Sequence, residues 1–302
     1  MIIDSHAHYT NNAYGKSFRY LTYGKDGYAL RAGDREQLFQ ELLEANIPYT
    51  IEPGVNLRSC EEVLRLCGEY PGRIFPAIGV HPTRSIFEKW SDRQKIDAYA
   101  NTPGVIAIGE IGLDYHYKRR EQHRFQQHIW FLYQLNLAWK LKKPVILHVR
   151  DADEDTLRIL RIHPARKLGG VIHCFCGSGE IAQQYLKLGY HIGIGGSVLQ
   201  PEERAGKLWE AIPHIPLDRI LVETDAPFIL PYCKDVIQPK LLRRARNTSL
   251  ILPAVINKIA QLKGLSADAV EQAATENAIR VFHLPVPADL KTHKGADKNE
   301  HK

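Results

Sequence analysis

Cysteine and methionine are scarce, at five and one among 302 residues. The cysteines, at positions 60, 67, 174, 176 and 233, are odd in number and form no CxxC pair, which argues against a disulfide framework in a chain long enough to fold without one. No run of about 18 apolar residues occurs, and the start, MIIDSHAHYT, has neither a basic leader nor an apolar core. The sequence therefore predicts no membrane span and no export, and a cytoplasmic protein. A strong excess of one charge is missing too: 40 basic against 34 acidic residues leave +6, too little for a clamp on duplex DNA and no pointer to nucleic acid by itself. What the chain does have is histidine, 14 residues of the commonest metal-ligating type.

The length admits two ordinary domains or one large barrel. Short apolar runs recur at 2–6, 49–54, 74–80, 105–110, 145–149, 170–174, 191–195 and 220–224. Helical periodicity follows each of them, near 35–45, 59–70, 92–100, 120–140, 153–162, 180–188, 201–211 and 239–262. The runs show little polar alternation, as expected where helices cover one face and a barrel interior the other. Eight such units predict an α/β fold, a (β/α)8 TIM barrel, with an extra C-terminal helix at 266–282. Asp153 and Ser266 are expected to cap their helices. Residues 1–290 read as one domain and the polar 291–302 as a disordered tail. The segment 9–33 reads as a long loop after the first strand, without periodicity; its tyrosines (Tyr9, Tyr14, Tyr20, Tyr23, Tyr28) either stack on a ring or base, or pack on the barrel rim.

A barrel concentrates its chemistry at the C-terminal ends of its strands. The first strand ends in DSHAH, where His6 and His8, two apart in extended backbone, share a face. The fourth delivers Glu110, the fifth His148, the sixth His173 and the eighth Asp225. A lone HxH is weak evidence. Six ligand-type residues at corresponding ends of five strands are strong evidence, because buried ionisable groups need partners or a cation. Their number suits two divalent ions, about 3.5–4 Å apart, rather than one. Glu110, with two oxygens to share, bridges best; His6, His8 and Asp225 take one ion, His148 and His173 the other. The mixed nitrogen and oxygen set suits Zn, Mn, Fe, Co or Ni, with Mg serviceable in an assay.

The ordered motifs DSHAH, GEIGLDYH, PVILHVRDA, VIHCFCG, VETDAPF and TENAIRVF resemble the TatD family of metal-dependent deoxyribonucleases, among the amidohydrolase-like barrels, from residue 2 to about residue 284. Taken together the motifs are highly specific. The resemblance implies metal ligation by the same six residues and hydrolysis of DNA phosphodiesters, with some members degrading from the 3′ end. On that footing a metal-activated water attacks phosphorus with Asp225 as proton acceptor, or Asp225 is a ligand only and bulk hydroxide attacks; Glu110 is catalytic as the shared metal residue, and Glu223 shares the strand face of Asp225 two residues earlier. The partner is then nucleic acid, DNA as single strands or frayed ends. The sequence departs from the family where GVHPT places Thr83 at a position that is often histidine, in the long 9–33 segment, and in SVLQ (197–200) and DAPFILP (225–231). All lie on the binding rim.

Candidate substrate contacts are His81, His116, Arg150 and Glu223. The run Lys118, Arg119, Arg120 reads as a solvated helix start before it reads as a phosphate patch, and Cys174 and Cys176 as ordinary small residues before they read as ligands. The same metal set could instead hydrolyse a cyclic amide, a lactone or another ester, including an aminoacyl-tRNA ester, or bind metal and nucleic acid without cutting. A nuclease should show a groove with phosphate contacts and a stacking surface; a small-molecule hydrolase should show a closed pocket. Nothing in the sequence fixes the oligomeric state, and a barrel of this size can stand alone.

Overall fold

A computed structural model describes residues 1–116 and 123–285. In chain order these form β1 (Ile3–Asp4), β2 (Phe18–Gly24), β3 (Gly27–Gly33), α1 (Arg35–Glu44), β4 (Tyr49–Pro53), α2 (Leu57–Glu69), β5 (Ile74–Ile78) and α3 (Arg93–Ala100). There follow β6 (Ala107–Asp114), α4 (Arg124–Leu141), β7 (Val145–Arg150), α5 (Asp153–Ile162), β8 (Gly170–Ile172), α6 (Gly179–Lys187), β9 (His191–Ile194) and α7 (Glu202–Ala211). The last elements are β10 (Ile220–Val222), α8 (Pro239–Leu242), β11 (Ala245–Arg246), α9 (Leu252–Lys263) and α10 (Ala267–Phe282).

Strands β1, β4, β5, β6, β7, β8, β9 and β10 pair in that order, all parallel. Ser5 N donates to Val222 O at 3.1 Å, Asp225 N donates to His6 O at 2.9 Å, and Ala7 bridges Ala226, so first and last strands meet and the expected barrel closes. Alternation along each strand explains the unbroken apolar runs. Val145, Leu147, Ile172, Ile220 and Val222 pack outward with the helices, whereas Ile146, Val171 and Leu221 pack inward with Ile3, Ile51 and Ala107. Ala278, Val281 and Phe282 of α10 join that inner cluster. Two residues beyond Ile146, Val171 and Leu221, on the same inner face, come His148, His173 and Glu223. The apolar layer is thus the floor of the polar site.

Three expectations need correction. The 9–33 segment is not an irregular loop: β2 and β3 form an antiparallel hairpin, Phe18 opposite Gly33 and Gly24 opposite Gly27, and β11 adds to β2 in parallel. Tyr9, Tyr14 and Tyr20 are buried in its base, with Tyr9 and Tyr14 rings 5.0 Å apart, so these three pack on the rim rather than await a base. The single helix over 239–262 is broken. Asn247 donates from Nδ2 to Thr224 O and Ile229 O, and Thr248 donates from Oγ1 to Leu21 O, spending the segment on fastening the hairpin to the barrel top. Finally, Asp153 is the first residue of α5 and not its cap, its carboxylate accepting from Tyr185 OH at 2.9 Å, while Ser266 does cap α10 through Ala269 N. The expected helix start at 120, with Lys118 and Arg119, and the tail 291–302 lie outside the described residues.

Candidate metal centre

Glu110 stands at the middle of the barrel mouth, and its two oxygens face different partners. Oε2 lies 3.4 Å from His6 Nε2 and 3.5 Å from His8 Nε2. Oε1 lies 2.9 Å from His148 Nδ1, 3.0 Å from His173 Nε2 and 3.2 Å from His81 Nε2. On the Oε2 side, the Nε2 atoms of His6 and His8 are 3.0 Å apart, and Asp225 Oδ1 is 3.7 Å and 3.3 Å from them. All six predicted ligand residues meet here, together with His81. Asp225 reaches in from a left-handed backbone, φ 53°, which an aspartate tolerates better than most residues.

The donor set fits a cation. Ligands about 2.0–2.1 Å from a tetrahedral centre stand about 3.3–3.4 Å from one another. Five of the six separations among His6 Nε2, His8 Nε2, Glu110 Oε2 and Asp225 Oδ1 run from 3.0 to 3.7 Å. The outward-facing nitrogens support the same conclusion. His8 Nδ1 donates to the Pro53 carbonyl at 3.2 Å and His148 Nε2 donates to Asp114 Oδ2 at 3.2 Å, whereas His173 Nδ1, 3.3 Å from Glu223 Oε1, makes no hydrogen bond among the described residues. A ring nitrogen held by an acceptor carries the proton, which leaves the opposite nitrogen its lone pair, as metal-ligating histidines require. His6 Nδ1 is buried with no hydrogen-bond partner among the described residues.

Burial alone would raise the Glu110 carboxyl, but His81, His173 and His148 around it hold it well below its ordinary range. Asp225 is likewise held low, against burial, chiefly by His8. Burial opposes charge on His8, yet Asp225 and Glu110 push it up to about 10. Burial, helped by His148, lowers His81 to about 4 against the opposing pull of Glu110.

The predicted substrate contacts divide. His81 and Arg150 line a cleft of about 540 Å³ above Glu110, and His116 lines a second of about 860 Å³, where its Nδ1 is 2.8 Å from Asp151 Oδ2. Glu223 lines neither: it is fully buried, accepts from Cys174 N and faces His173, and so does not meet solvent. A Cβ at Gly193 would run into its carboxylate, which is why glycine suits that position. Neither Cys174 nor Cys176 joins a metal-ligating group among the described residues. Sequence reasoning missed Asp114, Arg58, Arg84 and Phe228. Arg58 and Arg84 join Arg150 in the first cleft, and Phe228, half exposed, presents its ring 6.1 Å from that of His8. The two clefts share His148, Arg150, His173, Asp225 and Phe228, so they form one groove across the centre.

A parallel barrel with a histidine and carboxylate cluster at its mouth defines a metal-dependent hydrolase. The family model described as TatD related DNase matches residues 3–283, and the chain belongs to that family. It is 35% identical over 255 residues to the 3′-5′ ssDNA/RNA exonuclease TatD of Edwardsiella piscicida, covering 84% of this chain and 95% of that protein. It is 30% identical over 284 residues to the uncharacterized metal-dependent hydrolase YabD of Bacillus subtilis, covering 94% of this chain and all of the relative. Among solved structures, the TatD homologue YjjV of Escherichia coli K12 superposes with a TM-score of 0.78 at 26% identity, covering 94% of this chain and 98% of the other. Among the described residues no helix is long and apolar enough to cross a membrane.

Proposed function

We propose that this metal-dependent hydrolase cleaves phosphodiester bonds of single-stranded DNA, removing nucleotides from the 3′ end, with two divalent ions per chain. His6, His8 and Asp225 would hold one ion and His148 and His173 the other, with Glu110 shared. The observation that carries this reading is the division of the Glu110 oxygens between those two sets of partners. Bound there, the ions would supply an acidified water and neutralise charge developing on the phosphoryl oxygens. The chain's own groups do the rest. Asp225, at the edge of the groove, accepts the proton of the attacking water. Arg58, Arg84 and Arg150 hold phosphate oxygens, Phe228 stacks a base, and His81 Nε2 offers a hydrogen bond at the Glu110 side of the groove. The open groove favours a polymer over a small enclosed substrate. We take residues 1–290 to act as one domain.

The decisive comparison sets single-stranded DNA, duplex DNA, RNA, a model phosphodiester and a cyclic amide against one another with Mn²⁺, Mg²⁺, Zn²⁺ and Co²⁺. Single-stranded DNA is expected to shorten from the 3′ end, cleavage to stop on chelation, and Asp225→Asn to abolish it. Turnover of the cyclic amide with no phosphodiester cleaved would overturn the reading.

A further inference from the structure

A third cleft, of about 680 Å³, lies on the hairpin side of the barrel mouth and takes no part in the metal centre. Its lining includes Arg19, Arg243, Arg244 and Arg246, and no carboxylate. The fold brings these four together. On β2, buried Phe18 and Tyr20 flank an exposed Arg19, and the pairing of β11 with β2 sets Ala245 opposite Arg19, which places the segment 243–246 alongside it. Arg246 Nε donates to Ala13 O at 3.4 Å, while Arg243 and Arg244 are exposed. Four guanidinium groups around one cleft with no lining acid give it a positive potential that attracts an anion. The planar fork of arginine suits phosphate in particular.

The cleft also has a route to the centre. Asn12, opening the short turn Asn12–Tyr14, lines both this cleft and the one above Glu110. The geometry points to a second phosphate-binding subsite: the arginine cleft holds the backbone of the substrate strand several nucleotides away from the bond that is cut. A strand fits better than a lone phosphate, because the adjoining cleft, which shares Asn12 with this one, has Arg58 and Arg84 in its own lining. This inference rests on the nucleic-acid reading above. It extends it to a part of the molecule built by the hairpin.

The test is binding rather than turnover. Fluorescence anisotropy in chelator, with an oligothymidylate of about twelve nucleotides, spans the groove and the arginine cleft, whereas a trinucleotide competitor occupies the centre alone. The double variant Arg243→Gln/Arg244→Gln is expected to weaken the long ligand about tenfold and to reduce the slope of log affinity against log salt by about 1.4, which is about 0.7 for each lost phosphate contact. Trinucleotide affinity should not change. Arg19→Gln, a single exposed change on a different element, should act in the same direction and decides the matter if the double variant folds poorly. Equal weakening of long and short ligands, unchanged affinity for the long one, or no binding of it by the parent protein would each overturn the subsite. If the parent binds the long strand through these arginines yet cuts no phosphodiester, the subsite stands and the catalytic reading falls.

Discussion

Thr83 fixes the tautomer of His81. The Thr83 backbone amide donates to His81 Nδ1 at 3.1 Å, and its hydroxyl lies 2.8 Å from the same nitrogen. A nitrogen that accepts an amide hydrogen keeps its lone pair there, so the ring proton sits on Nε2, 3.2 Å from Glu110 Oε1. His81 therefore turns an N–H toward Glu110, and we expect it to serve as a hydrogen-bond donor although it stands close enough to Glu110 and His148 to share an ion with them.

Removing that ring should slow turnover without emptying the site. His81→Ala is expected to lower kcat by about ten- to a hundredfold, the range typical of groups that contact a metal site from outside. Thr83→Val keeps the amide bond and should cost only a few-fold. Metal content measured by mass spectrometry should match the parent in both variants; loss of an ion in His81→Ala would show that His81 is a ligand.

Asp114 should matter as much as a ligand while touching none of the opposing set. It accepts from His148 Nε2 and is itself held by His116 N at 3.0 Å, so the His148 ring is clamped with Nδ1 toward Glu110. Asp114→Ala is predicted to weaken one of the two metal affinities by about ten- to a hundredfold. Asp114→Asn, whose carbonyl can still accept, should lose less. Titration against a chromophoric chelator reads both, and parent-like affinities in the alanine variant would contradict the role.

Stability at the top of the barrel depends on a buried knot of hydroxyls. Ser249 Oγ lies 2.6 Å from Asp4 Oδ2 and 2.7 Å from Tyr9 OH, which in turn accepts from Ser249 N. Thr224 Oγ1 also donates to Asp4 Oδ2, at 2.6 Å, so the knot ties β1 to the strand end that carries Asp225. Ser249→Ala takes the acceptor from the buried Tyr9 hydroxyl and one donor from Asp4, which keeps Thr224, and should cost about 1–3 kcal/mol in denaturant unfolding. An unchanged midpoint would mean that the neighbours re-pair.

The ligands were legible because strands alternate: an apolar run that ends in a polar residue two beyond an inward side chain must aim it into the barrel, as Ile146 does for His148. Asp114 escaped because the fourth barrel strand was expected to stop at Glu110, whereas β6 continues four residues further after a register shift between Ile108 and Ile111. Asp26-Gly27 at the hairpin tip was a turn signal within reach, but one buried face beneath a largely exposed second strand left little periodicity around it. The broken helix was hidden for the opposite reason. Leu241 and Leu242 before the arginines and Leu250 to Leu252 after Thr248 carry an apolar pattern across the break, although Pro253 in the first turn of α9 was a visible start signal; the side-chain bonds of Asn247 and Thr248 to the barrel and the hairpin hold the segment between. Arg58 and Arg84 sit after strands that deliver no ligand, so nothing in the strand-end pattern drew attention to them.

His191 supplies the pH prediction, well away from the metal centre at the start of β9. Burial, with Arg219 and Arg280 adding to it, pushes its ring from an ordinary 6.5 down to about 4. The folded state therefore refuses a proton that the unfolded chain accepts. The sign follows: the contribution to stability is fully present above pH of about 6.5 and is lost as the pH falls toward 4. His191→Leu removes the titrating group from a site only 6% exposed. Denaturant unfolding in chelator, at neutral pH and again near pH 4, should show the parent losing about 2–4 kcal/mol more than the variant. Parallel losses in the two proteins would mean that His191 takes its proton in the folded state as readily as in the unfolded one.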